Sequence, residues 1–281
     1  MDLDEYRTES LKRWSSVAGG WEAHRDTMRE GTEPVMRWLV DALRAGPGQT
    51  VLELACGPGE TGLRAAERVR PGGKLIATDA AEPMVELVRE RAKQLGLDDV
   101  EARVMDAEWI DLPTASVDAV VCRWGYMLLA DPGAALRETR RVLRPGGRVS
   151  LAAWSEAPRN PWSSVVGAEL VARGRMERPE PGAPGQFAWA DPQVIRDHLE
   201  DAGFTGVEVE TLEFTFAYAD LDAWWDVQLD LSPSLGQTVG DMTPAERDEL
   251  RDALDAKLAP FVRDDGSVEL PAATNVAAAD A

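Results

Sequence analysis

The sequence predicts an α/β protein built on a doubly wound, mostly parallel sheet, and three observations lead to that expectation. Between Gln49 and Trp154, apolar runs of strand length alternate with helical patterns, which is typical of βαβ units. The first apolar run leads directly into a glycine-rich turn at 56–59 that opens a helix. Two more strand-like segments, at 207–218 and 267–278, bring the expected sheet to seven strands.

The alternating pattern also sets the position of each element. Strands are expected at 51–55, 74–79, 100–106, 117–124, 148–154, 207–218 and 267–278. Helices are expected at 83–95, after Asp131, and at 191–202. The sequence Arg-Pro-Gly-Gly at 144–147 predicts a tight turn before the fifth strand. Thr243 and Glu246 have the spacing of a capping box, which predicts the start of another helix.

Three segments fall outside the βα rhythm. Residues 1–45 are predicted to form an N-terminal helical lid, and residues 46–281 an α/β domain. Two cap segments, 155–190 and 220–262, are inserted in that domain. Because these segments are rich in tryptophan, we expect them to close over a ligand at the edge of the sheet. The tryptophans concerned are Trp14, Trp21, Trp162, Trp224 and Trp225.

Composition excludes several classes of function. The chain has 50 acidic and 30 basic residues and a formal net charge of −20, which repels polyanions and argues against nucleic-acid partners. No apolar run reaches the roughly 18–20 residues of a membrane span, and no secretory signal is recognisable. Cys56 and Cys122 fall in predicted core elements, where free thiols suit a cytoplasmic protein.

The glycine-rich turn is the part of the chain most suited to ligand binding. Gly57, Gly59 and Gly62 follow a buried strand, and glycine allows a ligand to approach the backbone closely. Asp79 ends the second predicted strand, where its carboxylate can accept hydrogen bonds from both ribose hydroxyls of an adenosine. The same G-x-G-x-x-G spacing occurs in nicotinamide-dinucleotide proteins, so the turn alone does not distinguish the two ligands.

Other features favour an adenosine ligand that carries an amino-acid group. Glu53 lies inside the first strand, where a carboxylate suits an ammonium group, and Asp106-Ala107 ends the third strand, where it can reach the adenine amino group. The Tyr-x-x-x-Lys pair of short-chain dehydrogenases does not occur in the sequence. The predicted last strand follows a long helical excursion at 220–262.

The motifs together resemble those of a known family. The segments ELACGPGETG, IATDAAEPMV, VMDAEWIDLP, VDAVVCRWGYML and LRPGGRVSLAAW span about residues 50–154 in the same order and spacing as the family's motifs. The chain resembles the class I S-adenosylmethionine-dependent methyltransferases, in particular the ubiquinone/menaquinone-biosynthesis type and related bacterial small-molecule methyltransferases. The resemblance implies a Rossmann-like methyltransferase fold, S-adenosylmethionine as the cofactor and S-adenosylhomocysteine as the product.

The resemblance also implies a set of cofactor-binding residues. The glycine turn would pass under the methionine and ribose, the strand-end acids would hold the ribose and adenine, and the tip of the fourth strand would flank the methionine end. The residues concerned are Glu53, Ala55, Cys56, Gly57, Gly59, Thr61, Asp79, Ala80, Met84, Asp106, Ala107, Cys122 and Arg123. Ala55 stands where many relatives carry glycine, and Glu53 stands where aspartate is commoner.

The methyl acceptor is less constrained by the sequence. His24, Trp124 and Tyr126 are candidates for contact with it, because they fall in a lid segment or just after the fourth strand. The acceptor is expected to be a small aromatic, quinone-like or natural-product molecule, with methylation on oxygen, nitrogen or carbon left open. No metal-ligand cluster and no catalytic base are recognisable. A non-catalytic cofactor-binding protein and a nicotinamide-dependent oxidoreductase remain as alternatives.

Overall fold

The computed structural model describes residues 2–180 and 182–281, and its central feature is one seven-stranded sheet in the order β3-β2-β1-β4-β5-β7-β6. Strands β1 to β5 pair in parallel, whereas β7 is antiparallel to both of its neighbours. The strands are β1 Thr50–Glu53, β2 Lys74–Asp79, β3 Val100–Val104, β4 Val117–Arg123, β5 Leu143–Trp154, β6 Thr205–Tyr218 and β7 Val268–Asp280.

Helices connect and flank these strands. They are α1 Leu3–Ser16, α2 Ala18–Ala23, α3 Arg25–Gly31, α4 Glu33–Ala42, α5 Glu60–Val69, α6 Glu82–Gln94, α7 Pro132–Val142, α8 Pro161–Ala172, α9 Pro192–Asp201, α10 Leu221–Leu231, α11 Pro233–Gly240 and α12 Pro244–Leu258. The predicted capping box is present, since the Thr243 hydroxyl accepts from the Glu246 N–H and the Glu246 carboxylate accepts from the Thr243 N–H. Asp131 caps α7 as expected, accepting from the N–H of Ala134.

The seven predicted strands are all present, but the fifth begins earlier than expected. Strand β5 begins at Leu143, and residues 144–147 form an irregularity within it where a tight turn was expected. Leu143 pairs with Val117, but the next pair joins Arg148 to Ala119. The extra residues are accommodated because Gly146 adopts a φ of +79°.

The centre of the sheet is covered on both sides, which explains its continuous apolar sequence. Val51 and Leu52 of β1, Val120 of β4 and Leu151 of β5 are fully buried. Strand order reverses between β1 and β4, because β2 lies on one side of β1 and β4 on the other. Ligands of open α/β sheets bind in the crevice at such a reversal, beyond the carboxyl ends of the strands.

The N-terminal helices lie over one end of that crevice. Trp14 and Trp21 pack against a small cluster of Val17, Ala18, Ala81 and Met84, which joins α1 and α2 to the start of α6. Two polar contacts hold α1 in place. Arg7 pairs with Glu108 at 2.5 Å, and the Tyr6 hydroxyl donates to the Leu128 carbonyl at 2.9 Å.

The far side of the crevice is formed by a two-stranded extension. Strand β5 pairs with β7 only as far as Trp154, opposite Thr274, whereas β6 continues to Tyr218, opposite Val268. Residues 214–218 and 268–272 therefore form a ribbon that extends beyond β5, by about 16 Å at the usual rise of a strand. We call this segment the β6–β7 ribbon.

Two segments of the sequence-based domain division include residues outside the described ranges, namely Met1 in the lid and Pro181 in the first cap segment. Within residues 2–180 and 182–281, no helix is both long and apolar enough to cross a membrane. In the same ranges, no group of three or more His, Cys, Asp and Glu side chains is arranged to hold a metal ion.

Candidate active site

The glycine turn leaves β1 in an unusual backbone conformation. Ala55, Gly57 and Gly59 all have positive φ, at +48°, +52° and +83°. Alanine is strained in this region, which explains why a glycine suits the position of Ala55. A Cβ atom on Gly57 would meet nothing within 4 Å, so there is open space beside the backbone at this point. A Cβ atom on Gly59 would lie 2.7 Å from the Val88 side chain, so glycine is required there by packing as well as by φ.

Asp79 joins the ends of β1 and β2. One carboxylate oxygen accepts from the N–H of Gly57 and the other from the N–H of Ala81, both at 2.9 Å. Burial raises the pKa of this carboxyl group, while hydrogen bonds from the Ala81 and Gly57 N–H groups oppose the rise. The side chain therefore fixes both turns at the carboxyl edge of the sheet.

Glu53 lies almost completely buried in β1, with 2% of its surface exposed. Its Oε1 accepts from the N–H of Gly62 at 2.9 Å, whereas Oε2 has no hydrogen-bond partner among the described residues. Burial raises its pKa to about 8, although the Gly62 N–H and the nearby Arg123 charge act in the opposite direction. A Cβ atom on Gly62 would lie 2.1 Å from Oε2, so the carboxyl group packs directly on the first turn of α5.

The first residues of α5 hold two more polar atoms without a partner. Thr61 Oγ1 and Glu60 Oε1 are buried and form no hydrogen bond within residues 2–180 and 182–281. Glu60 lies 3.8 Å from Arg25 Nε, so this pair links α5 to the lid helix α3. Burial raises the pKa of Glu60, and the positive charges of Arg123 and Arg25 oppose the rise.

The tip of β4 carries Arg123 and Trp124. Arg123 donates to the Thr32 hydroxyl at 2.8 Å, and its guanidinium lies over the Trp124 ring at 4.7 Å. Trp124 has a φ of +61°, an uncommon value for a bulky residue that indicates local strain. Its indole N–H donates to the Thr274 hydroxyl at 2.9 Å, and its ring stacks on Trp154 at 4.1 Å. The ring of Trp124 is thus part of the aromatic core behind the crevice.

The opposite end of the crevice is apolar. Met84 and Ala107 are buried, and Ala80 and Asp106 are exposed. The Asp106 carboxylate accepts from the N–H of Glu108 at 2.8 Å, which orders the turn after β3. An apolar floor beside an exposed carboxylate suits a flat heterocycle with an amino group at its edge.

The two cysteines are unpaired thiols buried at the centre of the site. Cys122 at the end of β4 has a pKa raised to about 12 by burial, and burial also raises the pKa of Cys56. A Cβ atom on Gly125 would lie 2.6 Å from Cys122 Sγ, so the thiol fills the space under that turn. Protonated, buried thiols are poor nucleophiles, which supports packing as their role.

The remaining sequence-based candidates lie in two different places. His24 is at the end of α2, and its Nε2 lies 2.8 Å from Asp230 Oδ2 on α10, so it joins the lid to the second cap segment. Tyr126 is fully buried, with its hydroxyl 2.7 Å from Thr139 Oγ1 and its ring stacked on Trp189. The Tyr126 hydroxyl is therefore hydrogen-bonded to α7.

Comparison with known proteins agrees with this geometry. A family model described as a methyltransferase domain matches residues 51–147, which contain the glycine turn, Asp79 and the tip of β4. The fold resembles that of the YcgJ protein of Bacillus subtilis, with a TM-score of 0.58 at 19% identity over 87% of this chain and 97% of that one. The chain belongs to the family of S-adenosylmethionine-dependent methyltransferases, and its cofactor is S-adenosylmethionine.

Two named relatives extend this assignment. The nocamycin O-methyltransferase of Saccharothrix syringae is 32% identical over 223 residues, covering 74% of this chain and 78% of the relative. The ubiquinone/menaquinone biosynthesis C-methyltransferase UbiE of Escherichia coli is 28% identical over 208 residues, covering 70% and 83%. Family membership decides against the interpretation as a nicotinamide-dependent oxidoreductase.

Several residues that shape the site were not singled out from the sequence. Glu108 joins three segments, because it pairs with Arg7 and also accepts from the N–H of Ala130. Thr32 and Asp230 bind Arg123 and His24 from distant parts of the chain. Only Glu108 had a local signal, its position directly after Asp106-Ala107.

Proposed function

We propose that this methyltransferase acts on a small, oxygen-bearing ring compound, such as an aromatic, quinone-like or natural-product acceptor. The observation that carries the proposal is the aromatic cluster at the tip of β5, which would line the acceptor side of the crevice. The Trp154 ring lies 5.0 Å from that of Trp162 and 6.0 Å from that of Phe214. Both named relatives support it, since their names refer to small molecules, nocamycin and the quinones.

The cofactor-binding side fits an S-adenosyl group. The buried Oε2 of Glu53 has no hydrogen-bond partner among the described residues and suits the ammonium of the methionine moiety. The open space beside Gly57 accommodates a ligand against the backbone, with Ala55, Cys56 and Gly59 setting the course of the turn. Thr61 Oγ1 at the start of α5 is buried and has no partner in the described part of the chain, so it suits a polar atom of the same moiety.

The proposal gives the other sequence-predicted residues defined positions around the nucleoside. Asp79 would accept from the ribose hydroxyls, Ala80 and Met84 would pack on the adenine, and Asp106 with Ala107 would contact its edge. Cys122 and Arg123, at the end of β4, would flank the methionine end. His24 is retained as a candidate for contact with the acceptor, because its bond to Asp230 holds it between the lid and the cap.

In this proposal the protein contributes orientation and exclusion of water. The bound cofactor supplies a methyl carbon that is already activated by a positive sulfur. Glu53 and Asp79 fix the position of that carbon, and the aromatic lining positions the acceptor atom in line with it, which replaces a bimolecular encounter by a prearranged one. The lid helices keep water out of the crevice, which strengthens each electrostatic contact inside it.

We also propose that the segments 1–45, 155–190 and 220–262 act together as a lid. Two contacts that join the three segments support this: His24 bonds to Asp230, and the indole N–H of Trp224 donates to the Trp162 carbonyl. With S-adenosylhomocysteine and an acceptor bound, amide hydrogen exchange in these segments should slow more than in β1–β5. Equal exchange with and without ligands would contradict the lid.

Charge and thiol chemistry support the remaining parts of the proposal. The net charge of −20 favours an uncharged small molecule over a nucleic acid as the acceptor. Both cysteines are free thiols, as a reducing compartment requires, and the proposal therefore includes a cytoplasmic location.

The proposal is tested by turnover with a panel of small hydroxylated and ketonic ring compounds. The purified protein is incubated with S-adenosylmethionine and each compound, and release of S-adenosylhomocysteine is measured. We expect product with at least one oxygen-bearing ring compound and none with simple amines or oligonucleotides. Tight binding of S-adenosylhomocysteine without turnover of any compound would favour a non-catalytic cofactor-binding protein instead.

A further inference from the structure

Among the buried polar atoms that lack a hydrogen-bond partner within the described residues, two lie on β6 and α10. The hydroxyl of Tyr218 and the side-chain amide nitrogen of Gln228 are both enclosed and unpaired within the described part of the chain. Their residues are only 5% and 4% exposed. An unsatisfied buried polar group lowers stability, and native proteins keep few of them. A group that is retained at this cost is a candidate for binding a ligand.

Tyr218 lies at the end of the β6–β7 ribbon, on its inner face. The ribbon alternates in the manner of a half-buried strand: Phe216 and Tyr218 are buried, whereas Thr215 and Ala217 are exposed. The Tyr218 ring follows that of Phe216 at 6.4 Å, and the Phe216 ring lies 4.5 Å from Trp162. The inner face of the ribbon is therefore a continuous aromatic surface that ends in a hydroxyl group.

Gln228 reaches the same surface from α10. Trp224, one helical turn earlier, donates its indole N–H to the Trp162 carbonyl at 2.8 Å. Residues four apart lie on the same face of a helix, so the face that carries Trp224 towards Trp162 also carries Gln228. We call Trp162, Phe216, Tyr218, Trp224 and Gln228 the aromatic wall.

The aromatic wall adjoins the tip of β4 through the lid helix α3. A Cβ atom on Gly31 would lie 2.4 Å from a ring carbon of Phe216, so the backbone of α3 packs directly on the wall. The next residue, Thr32, accepts the hydrogen bond from Arg123 at the β4 tip. The aromatic wall therefore lies next to the end of β4, where the methyl group of the cofactor lies in our proposal.

We propose that Tyr218 and Gln228 bind the methyl acceptor, and that the acceptor is a flat, uncharged ring compound carrying carbonyl or hydroxyl oxygens. The inference rests on the proposed function and adds to it the residues that determine which acceptor binds. Because Gly31 covers Phe216, the acceptor reaches the wall when α3 moves away from the ribbon.

The chemistry of the two groups restricts the acceptor. The amide nitrogen of Gln228 can only donate, and burial raises the pKa of Tyr218, so its phenol stays protonated and can donate too. Two donors call for oxygen atoms with free lone pairs on the ligand. A charged acceptor would lose its hydration against Trp162, Phe216 and Trp224 without an opposite charge on the wall, which disfavours it.

The first experiment measures the melting temperature without any acceptor. Tyr218→Phe and Gln228→Leu each remove an unpaired polar group, so both variants should melt higher than the wild type, by about 2 °C. Tyr126→Phe is the matched control, because that buried hydroxyl has a partner in Thr139 and its loss should lower the melting temperature. If Tyr218→Phe lowered it as much as Tyr126→Phe, the Tyr218 hydroxyl would be satisfied in the free protein and the inference would fail.

The second experiment measures binding by calorimetry in saturating S-adenosylhomocysteine. The probe is 2-acetyl-1-naphthol, a flat neutral compound with a carbonyl and a hydroxyl, and the comparison ligand is 2-ethylnaphthalene, which has neither. The wild type should bind the acetylnaphthol about tenfold more tightly than the hydrocarbon, and each variant should lose that preference. Affinity for S-adenosylhomocysteine should be the same in all three proteins.

The outcomes separate the two proposals. Failure of the wild type to bind S-adenosylhomocysteine would contradict the proposed function itself. Normal cofactor binding with no preference for the acetylnaphthol, or with an unchanged preference in both variants, would overturn the inference about Tyr218 and Gln228 alone.

Discussion

The two sides of the crevice differ in the kind of polar atom that they leave without a partner. Within the described residues, the proposed cofactor half, formed by β1–β4 and their loops, leaves oxygens of Glu53, Glu60 and Thr61 without a hydrogen-bond partner, besides Arg103 Nε on β3. The proposed acceptor half, formed by the β6–β7 ribbon, α8 and α10, leaves the neutral groups of Tyr218 and Gln228 in the same state. The buried Oε2 of Glu53 suits a cation, whereas phenol and amide groups suit neutral oxygens. In our proposal this contrast lets one crevice hold a charged cofactor beside an uncharged acceptor.

The largest effect should follow from Asp79→Ala in the cofactor half. A hydrogen bond to a charged group contributes about 1.5–3 kcal/mol, so affinity for S-adenosylhomocysteine should fall about tenfold to a hundredfold. Stability should fall as well, because the N–H groups of Gly57 and Ala81 lose their acceptor. Calorimetry measures the affinity, with the exposed Asp98→Ala as control. Unchanged affinity in the Asp79 variant would remove this residue from the cofactor site.

Glycines of the two halves should respond differently to an added methyl group. Gly62→Ala would place Cβ 2.1 Å from Glu53 Oε2, and overpacking of a buried site costs about 1–3 kcal/mol of unfolding free energy. Gly167→Ala in α8 meets nothing within 4 Å and should stabilise the protein by up to about 1 kcal/mol. Urea denaturation compares the two variants. Equal stabilities would show that Glu53 moves aside without cost.

A pH series should isolate Glu53. In the folded chain its pKa is raised to about 8, above the ordinary value of 4.5, so the folded state holds this proton more tightly than the unfolded state does. The resulting stability is complete below pH 4.5 and is lost as pH rises through 8. Glu53→Gln should therefore make the free energy of unfolding less dependent on pH over this range. If the free energy of unfolding depended on pH in the same way in both proteins, the pKa of Glu53 would not be raised.

The smallest effect is expected for Cys56→Ser. The thiol is buried and protonated, and nothing in the geometry gives it a covalent role, so turnover should stay within about threefold of the wild type. Steady-state kinetics with the acceptor found in the panel measures this. Loss of turnover with unchanged cofactor affinity would require a chemical role for the cysteine.

The cofactor half was predictable because its residues act through local geometry. Positive φ at Gly57 and Gly59 and a carboxylate at the end of β2 are visible as short motifs, and the strands between them are continuous apolar runs. The start of β5 was expected at 148, but the strand begins at Leu143, which pairs with Val117 before residues 144–147 interrupt the ladder. Tertiary pairing of this kind has no signal in a single segment.

The acceptor half was less predictable because its contacts join distant segments. Gly31 packs on Phe216, Trp224 bonds to Trp162, and His24 bonds to Asp230, each across a long stretch of chain. The tryptophans could be expected to form a lid from their number alone. Which polar side chains next to the tryptophans would lack a hydrogen-bond partner depends on tertiary packing, which the sequence pattern does not reveal.

The extension of the β6–β7 ribbon beyond β5 has an evolutionary consequence. Residues 214–218 form their ladder with 268–272 of β7, and β5 ends before that level is reached. Substitutions on the inner face of the ribbon therefore leave the register of the parallel strands, and with it the cofactor site, unchanged. If the ribbon binds the acceptor as we propose, new acceptors can be recruited by altering a few side chains at its end, while the methyl donor and the way it is held are inherited intact.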